Sequence, residues 1–171
     1  MGGYSMNTYL FLYHETSFFE VVLAAYFMNT KGRVHILSEN KSEIHTNEGV
    51  KILVDTTLDE AKLEDIDVLL ICGGNINNIR SMEQLHKLIR QCHTGQKIIG
   101  GICAGREVVS DALHITDFED GTQTIGNVIL SPGNEYVDFA LAVGKAADIY
   151  IDEVDYQETV DYFKFFHAPK G

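Results

Sequence analysis

Short apolar runs recur along the chain, and stretches with helical spacing separate them. Tyr9-Leu10-Phe11-Leu12-Tyr13 is continuous rather than alternating, which predicts a strand covered on both faces of a parallel sheet. After the turn His14-Glu15-Thr16, Ser17 to Asn29 reads as a helix that is apolar nearly all round. Such a helix is expected to be buried on most sides, and Gly32 stops it. Its one charge is Glu20, in the first turn. Arg33 to Ser38 predicts a second strand. Ser42–Thr46 and Lys51–Asp55 are weaker extended pieces around Asn47-Glu48-Gly49, a hairpin or edge excursion. Thr57 to Ala61 predicts a short helix. Val68 to Cys72 is another buried strand, ending in Gly73-Gly74-Asn75. Ser81 to Cys92 is amphipathic, with Met82, Leu85, Leu88 and Ile89 inward. A strand then runs from Lys97 through Ile102, and a helix follows from Arg106 to Leu113. The signal fades across the polar stretch His114–Thr124. Asn127 to Leu130 predicts a strand, Ser131-Pro132-Gly133-Asn134 a turn, and Glu135 to Ala147 a helix. Asp152 to Phe166 closes the chain as an amphipathic helix with Tyr156, Val160 and Phe163 on one side.

Strand and helix in alternation predict an α/β domain: an open parallel sheet with helices on both faces, and ligands at the carboxyl ends of the strands. At 171 residues the chain is one domain, expected over 7–171, with 1–6 a cloning remnant or disordered start. The turns at His14, Gly73 and Cys103 then share one rim.

The junction Gly101-Ile102-Cys103-Ala104-Gly105 carries the chemistry. A strand that feeds a helix through so tight a turn leaves room only for small neighbours. The pattern is a nucleophile elbow with cysteine where the hydrolases carry serine. At such a turn the nucleophile takes a strained backbone. It also sits at a helix N-terminus, which favours the thiolate.

Composition narrows the partners. A net charge of −12 leaves no basic stripe for phosphates, so neither nucleic acid nor an anionic membrane is an expected partner. The longest strong apolar run, Val21 to Met28, is far too short to span a bilayer. Three cysteines, Cys72, Cys92 and Cys103, make no disulfide framework and fit a reducing cytoplasm. No His/Cys cluster has zinc spacing, so no metal or other cofactor is expected.

Four stretches together resemble the DJ-1/PfpI (ThiJ/PfpI) family of the class I glutamine-amidotransferase-like superfamily, whose fold is flavodoxin-like. They are Phe19-Glu20-Val21, Ile71-Cys72-Gly73-Gly74-Asn75, Gly101 to Arg106, and Leu130-Ser131-Pro132-Gly133 leading into Tyr136 to Ala142. The resemblance implies that Cys103 is the reactive residue and that Glu20 hydrogen-bonds its sulfur. It also implies that the Gly74 and Ala104 N–H groups form an oxyanion hole, an arrangement that suits a tetrahedral anion on general grounds. The chain departs from the family in its histidines. Where many members carry a catalytic histidine, this chain has Gln123; His114 ends the elbow helix, Ala104 follows the cysteine, and His167 is followed by Ala168-Pro169. A Cys–His dyad is therefore not expected, which argues against peptidase and glutaminase activity.

Each candidate has a plainer reading. Ser17-Phe18-Phe19-Glu20 matches a capping box, in which Glu20 would serve the helix terminus instead. His14 is a candidate accessory base on the same rim, or an ordinary turn histidine. Cys72 is a resolving thiol or, more simply, a buried small side chain. The expected function is cysteine-dependent chemistry on a small carbonyl substrate, similar to the glyoxalase or deglycase activities of the family. The alternatives are a redox or stress-responsive module read through Cys103 oxidation, and a non-catalytic member of the fold. A homodimer is expected from the family and from the aromatic surplus of the tail.

Overall fold

A computed structural model describes residues 5–169. Its centre is a seven-stranded sheet in the order β5-β2-β1-β6-β7-β9-β8. The strands are β1 (Met6–Phe11), β2 (Gly32–Ser38), β5 (Thr56–Thr57), β6 (Val68–Ile71), β7 (Ile98–Ile102), β8 (Gln123–Ile125) and β9 (Val128–Ser131). All neighbours pair in parallel except the edge strand β8, which runs antiparallel to β9. Two short strands, β3 (Ile44–His45) and β4 (Lys51–Ile52), form a separate antiparallel hairpin.

Both faces of the sheet are covered, as the continuous apolar strands require. Tyr9, Phe11, Leu69, Ile71 and Ile99 point to one side, where helices α2 (Glu83–Thr94) and α3 (Ala104–Leu113) pack. Leu10, Leu12, Val68, Leu70 and Ile129 point to the other, against α1 (Phe19–Asn29) and α4 (Tyr136–Ala146). Helix α5 (Glu153–Phe165) lies on α4.

Several local expectations shift. The first strand starts at Met6, within the expected disordered start, and pairs with Gly32; residues 1–4 of that start and 170–171 of the expected domain lie outside the described residues. The expected helix over Thr57–Ala61 is not one: Thr56 and Thr57 pair with β2, and a single 3-10 turn follows at Leu63–Asp65. The polar stretch before Asn127 contains β8, too short and too exposed to show an alternating pattern. Helix α1 is not buried all round. Phe19, Val22 and Tyr26 are 51%, 42% and 62% exposed, a stripe that residue type alone could not separate from the core face.

Among the described residues, no helix is long and apolar enough to cross a membrane.

Candidate active site

The elbow forms because α3 starts almost in contact with the sheet. A Cβ on Gly105 would stand 2.2 Å from the Ile71 carbonyl oxygen, so only glycine fits in the first turn of the helix. To leave β7 and enter that helix at once, the chain turns at Cys103 with φ 56° and ψ −126°. A non-glycine residue at positive φ is strained, by about 1–3 kcal/mol. The Cys103 N–H donates to the Ser131 carbonyl at 2.9 Å, which ties the turn to the end of β9.

Cys103 is exposed, whereas Cys72 and Cys92 are buried. Glu20, only 2% exposed, reaches across from α1 and shares a hydrogen bond with the cysteine side chain. Two glycines wall the pair in. A Cβ on Gly73 would lie 2.7 Å from Glu20 Oε1 and 2.6 Å from Cys103 Cβ. One on Gly133 would lie 2.7 Å from Glu20 Oε2 and 3.1 Å from Cys103 Sγ. Glu20 Oε2 is buried without a hydrogen-bond partner. A buried acid with a free oxygen beside an exposed sulfur is costly as structure alone.

Burial is the largest influence on both groups. It pushes the Glu20 carboxyl up to about 7, against the hydrogen bonds from Cys103 and Ser17. Burial, then the charge of an ionised Glu20, push the Cys103 thiol up; the Ala104 N–H and Arg106 oppose the rise. The helix N-terminus, which by itself favours thiolate, is therefore outweighed. The position of the Glu20 proton decides the state of the sulfur. A protonated carboxyl can donate to a thiolate, and an ionised one repels it.

Of the two expected oxyanion donors, the Ala104 N–H lies against the Cys103 sulfur, and Gly74 packs against Glu15, Thr16 and Ser17. Gly74 has φ 136°, and its chain forms an isolated bridge to Thr16. Around it, Ser17 N–H donates to the Gly73 carbonyl at 2.8 Å and Asn75 N–H to the Glu15 carbonyl at 3.1 Å. Ala104 is the first residue of α3, where backbone N–H groups have no helical acceptor.

His14 does not join the cluster. Its Nδ1 accepts the His45 N–H at 3.2 Å and its ring meets the His45 ring edge-on, facing the β3–β4 hairpin. His114 caps the far end of α3. Gln123 accepts the Glu119 N–H through Oε1. Cys72 donates its thiol to the Ser17 carbonyl at 3.1 Å, and burial pushes it far above the usual thiol range. Nor is Ser17–Glu20 a capping box: the Ser17 N–H donates to the Gly73 carbonyl at 2.8 Å and the Glu20 N–H to the Ser17 carbonyl at 3.2 Å. The N–H groups of Phe18 and Phe19 go to Glu48 Oε1 and Oε2, each at 3.1 Å.

Two contributors escaped the sequence reading. Gly133 was visible as a turn glycine within one of the four family-like stretches but not as a wall of the cysteine site, and Glu48 only as part of a weak hairpin. A carboxylate in a polar turn carries no local sign of the helix it will cap.

A mostly parallel sheet of this order, with a strained cysteine at the head of a helix, defines a flavodoxin-like protein with an elbow cysteine. A profile of the DJ-1/PfpI family matches residues 6–138, and the chain belongs to that family, within the glutamine-amidotransferase-like superfamily. It is 28% identical over 113 residues to "Deglycase PfpI" of Pyrococcus furiosus, a match covering 64% of this chain and 68% of that one. Among solved structures it is similar to a DJ-1 superfamily protein of Agrobacterium tumefaciens, with a TM-score of 0.81 at 17% identity over 94% of this chain and 99% of that one. DJ-1beta of Drosophila melanogaster gives 0.75 at 20% identity, over 97% and 100% of the two chains. At those identities the structural likeness speaks to the fold.

Glu20 sets a pH dependence of stability. Its folded-state value is raised above the ordinary 4.5, so the stabilising balance is complete below 4.5 and is lost as pH rises to about 7. The loss is about 3 kcal/mol at about 1.4 kcal/mol per unit. Glu20→Gln cannot ionise. The Tm of the variant minus that of wild type should therefore grow between pH 4.5 and 7, by roughly 5–10 °C, and level off above. A difference that stays flat over this range would show that Glu20 is not held protonated.

Proposed function

We propose that the protein is a cysteine-dependent enzyme acting on small carbonyl compounds, with glyoxalase- or deglycase-like chemistry. The observation that carries the reading is the buried Glu20 carboxyl, one oxygen unpaired, set against the exposed Cys103 sulfur. The relative named a deglycase supports it at a distance.

In this reading the Cys103 sulfur adds to an aldehyde carbon, and the carbonyl electron pair moves to oxygen. The Gly74 and Ala104 N–H groups receive that oxyanion. Glu20 supplies its proton, which completes a hemithioacetal. With a 2-oxoaldehyde, moving the C–H proton to the neighbouring carbonyl carbon and the hydroxyl proton to that carbonyl's oxygen gives a thioester. Water then releases the hydroxy acid and restores the thiol. None of these glyoxalase-type steps needs an acid for a leaving amine, so the missing dyad histidine weighs against peptide hydrolysis and not against this form of the reaction. Wild type should consume methylglyoxal with turnover, and Cys103→Ala should lose it entirely. Gly133→Ala, which sets a methyl 3.1 Å from Sγ, should lower kcat/KM at least tenfold while the fold is kept. Equal rates in wild type and Cys103→Ala would overturn the reading.

The unpaired Glu20 Oε2 favours a second reading, in which the oxidation state of Cys103 is the output. Two equivalents of peroxide convert the thiolate to a sulfinate and two waters, and a protonated Glu20 can donate to a sulfinate oxygen. Intact mass after mild peroxide should then show two added oxygens at Cys103 in wild type, and mixed products in Glu20→Gln. Identical profiles would remove Glu20 from the sulfur's chemistry.

The same reading includes a homodimer. Phe19, Val22 and Tyr26 of α1 join Tyr136, Tyr162 and Phe166 around a groove of about 840 Å³, next to the Glu20 end of the helix. An aromatic face of this kind suits a second copy. Light scattering at high micromolar concentration should give twice the 19.1 kDa chain mass, and a strict monomer would exclude it.

A further inference from the structure

The hairpin formed by β3 and β4 contributes nothing to the central sheet. Its turn instead grips the segment that leads into α1. Asn47 N–H donates to the Thr16 carbonyl at 2.9 Å. Asn47 Nδ2 donates to the Glu15 carbonyl at 2.9 Å and to Ser17 Oγ at 3.0 Å. Glu15 N–H donates to the His45 carbonyl at 2.9 Å. Glu48 completes the grip with both carboxylate oxygens on the Phe18 and Phe19 amides. The gripped segment carries Thr16, which bridges Gly74, and ends in Glu20.

We propose that Glu48 is a positioning residue for Cys103: bonded to two amides at the head of α1, its carboxylate fixes both the placement and the electrostatic setting of Glu20. The physical reason is the helix terminus. Glu20 lies in the first turn, where free N–H groups and the positive dipole end would stabilise its ionised form. Glu48 occupies those N–H groups and adds a negative charge of its own. Its charge raises the Glu20 carboxyl, while the two amides hold Glu48 itself below the usual carboxylate range, although its burial opposes this. Glu48 therefore stays ionised where Glu20 is protonated. The other charged or titratable groups around the pair are Tyr13 just after β1, Cys72 after β6, and Cys103 and Arg106 from the head of α3. From α4, Tyr136 meets Phe19 edge-on. Of these, Arg106 favours the thiolate directly, and Glu48 favours it through the Glu20 proton.

The inference rests on Cys103 being the reactive atom, and its test needs no substrate. The rate of Cys103 alkylation by iodoacetamide is followed from pH 5 to 10 by peptide mapping, in wild type, Glu48→Gln, Glu20→Gln and the double variant. Glu48→Gln keeps one acceptor for the amides and loses the charge. At pH 7 it should alkylate about twofold more slowly than wild type, with the profile displaced upward by a few tenths of a pH unit. In the Glu20→Gln background the same change should leave the profile where it was. Glu48→Asp, which keeps the charge, should lie nearer wild type than Glu48→Gln. A Glu48→Gln profile that superimposes on wild type overturns the proposal. So does a displacement of the same size without Glu20, because the effect would then bypass that residue. A lower Tm with an unmoved profile would mean a purely structural cap, and also overturns it. Failure to consume methylglyoxal with the displacement intact would sink the proposed reaction and leave Glu48's role standing.

Discussion

The close approach of α3 to the sheet governs the rest of the site. Gly105 lets the helix begin against the Ile71 carbonyl, and the chain can then reach it from β7 only through a turn at positive φ. That strain is maintained because the surrounding contacts over-determine it: the Cys103 amide is bonded to Ser131, and the helix beyond is anchored by Val108, Val109 and Ala112 in the core. The turn puts a sulfur at the carboxyl rim of the sheet, where the loops after β1, β6 and β9 converge. Every other feature of the site answers to that position. Gly73 and Gly133 leave out side chains that would cover the sulfur, and α1 delivers a single carboxyl to it.

That carboxyl is the second constraint. An acid at the start of a helix would ordinarily be ionised, exposed and bonded to the terminal amides. Glu20 is buried and leaves the Phe18 and Phe19 amides to a residue from a different part of the chain. The result is a coupled acid–thiol pair, in which burial pushes the Glu20 carboxyl up to about 7 and the Cys103 thiol above its usual range. Loss of one proton from such a pair leaves either a thiolate beside an acid or a thiol beside a carboxylate. Which form is populated depends on charges outside the pair, and the hairpin turn and Arg106 are the two within reach.

The architecture was legible in the chain because the physics that sets it is local. Continuous apolar runs such as Val68–Cys72 read as strands covered on both faces, and the glycines about Cys103 read as a close turn in preference to a buried cysteine in a strand. Glu20 was legible as a lone carboxylate on an apolar helix, although a capping box explained it equally well. What decides between the two is the Gly73 carbonyl, which takes the Ser17 N–H that a capping box would give to Glu20, and no periodicity links those segments. The exposed stripe of α1 was hidden for a related reason. A helix apolar all round has no moment to orient it, so its solvent face is fixed by the sheet and α4 rather than by its own sequence.

The histidine missing from the usual place has the same kind of consequence. The polar groups near that position are satisfied among themselves: Thr122 Oγ1 lies 2.6 Å from Ser131 Oγ and donates to Glu135 Oε1 at 3.0 Å. Neither hydroxyl can act as a base near neutral pH. The proton-accepting capacity beside Cys103 is then concentrated in Glu20, whose value near 7 lies where a general acid or base is most effective. Such a site can add a thiol to a carbonyl and return the proton over the same short path. On the proposed reading, one shared proton serves the addition to a carbonyl, whereas peptide cleavage needs a second proton position for the departing amine.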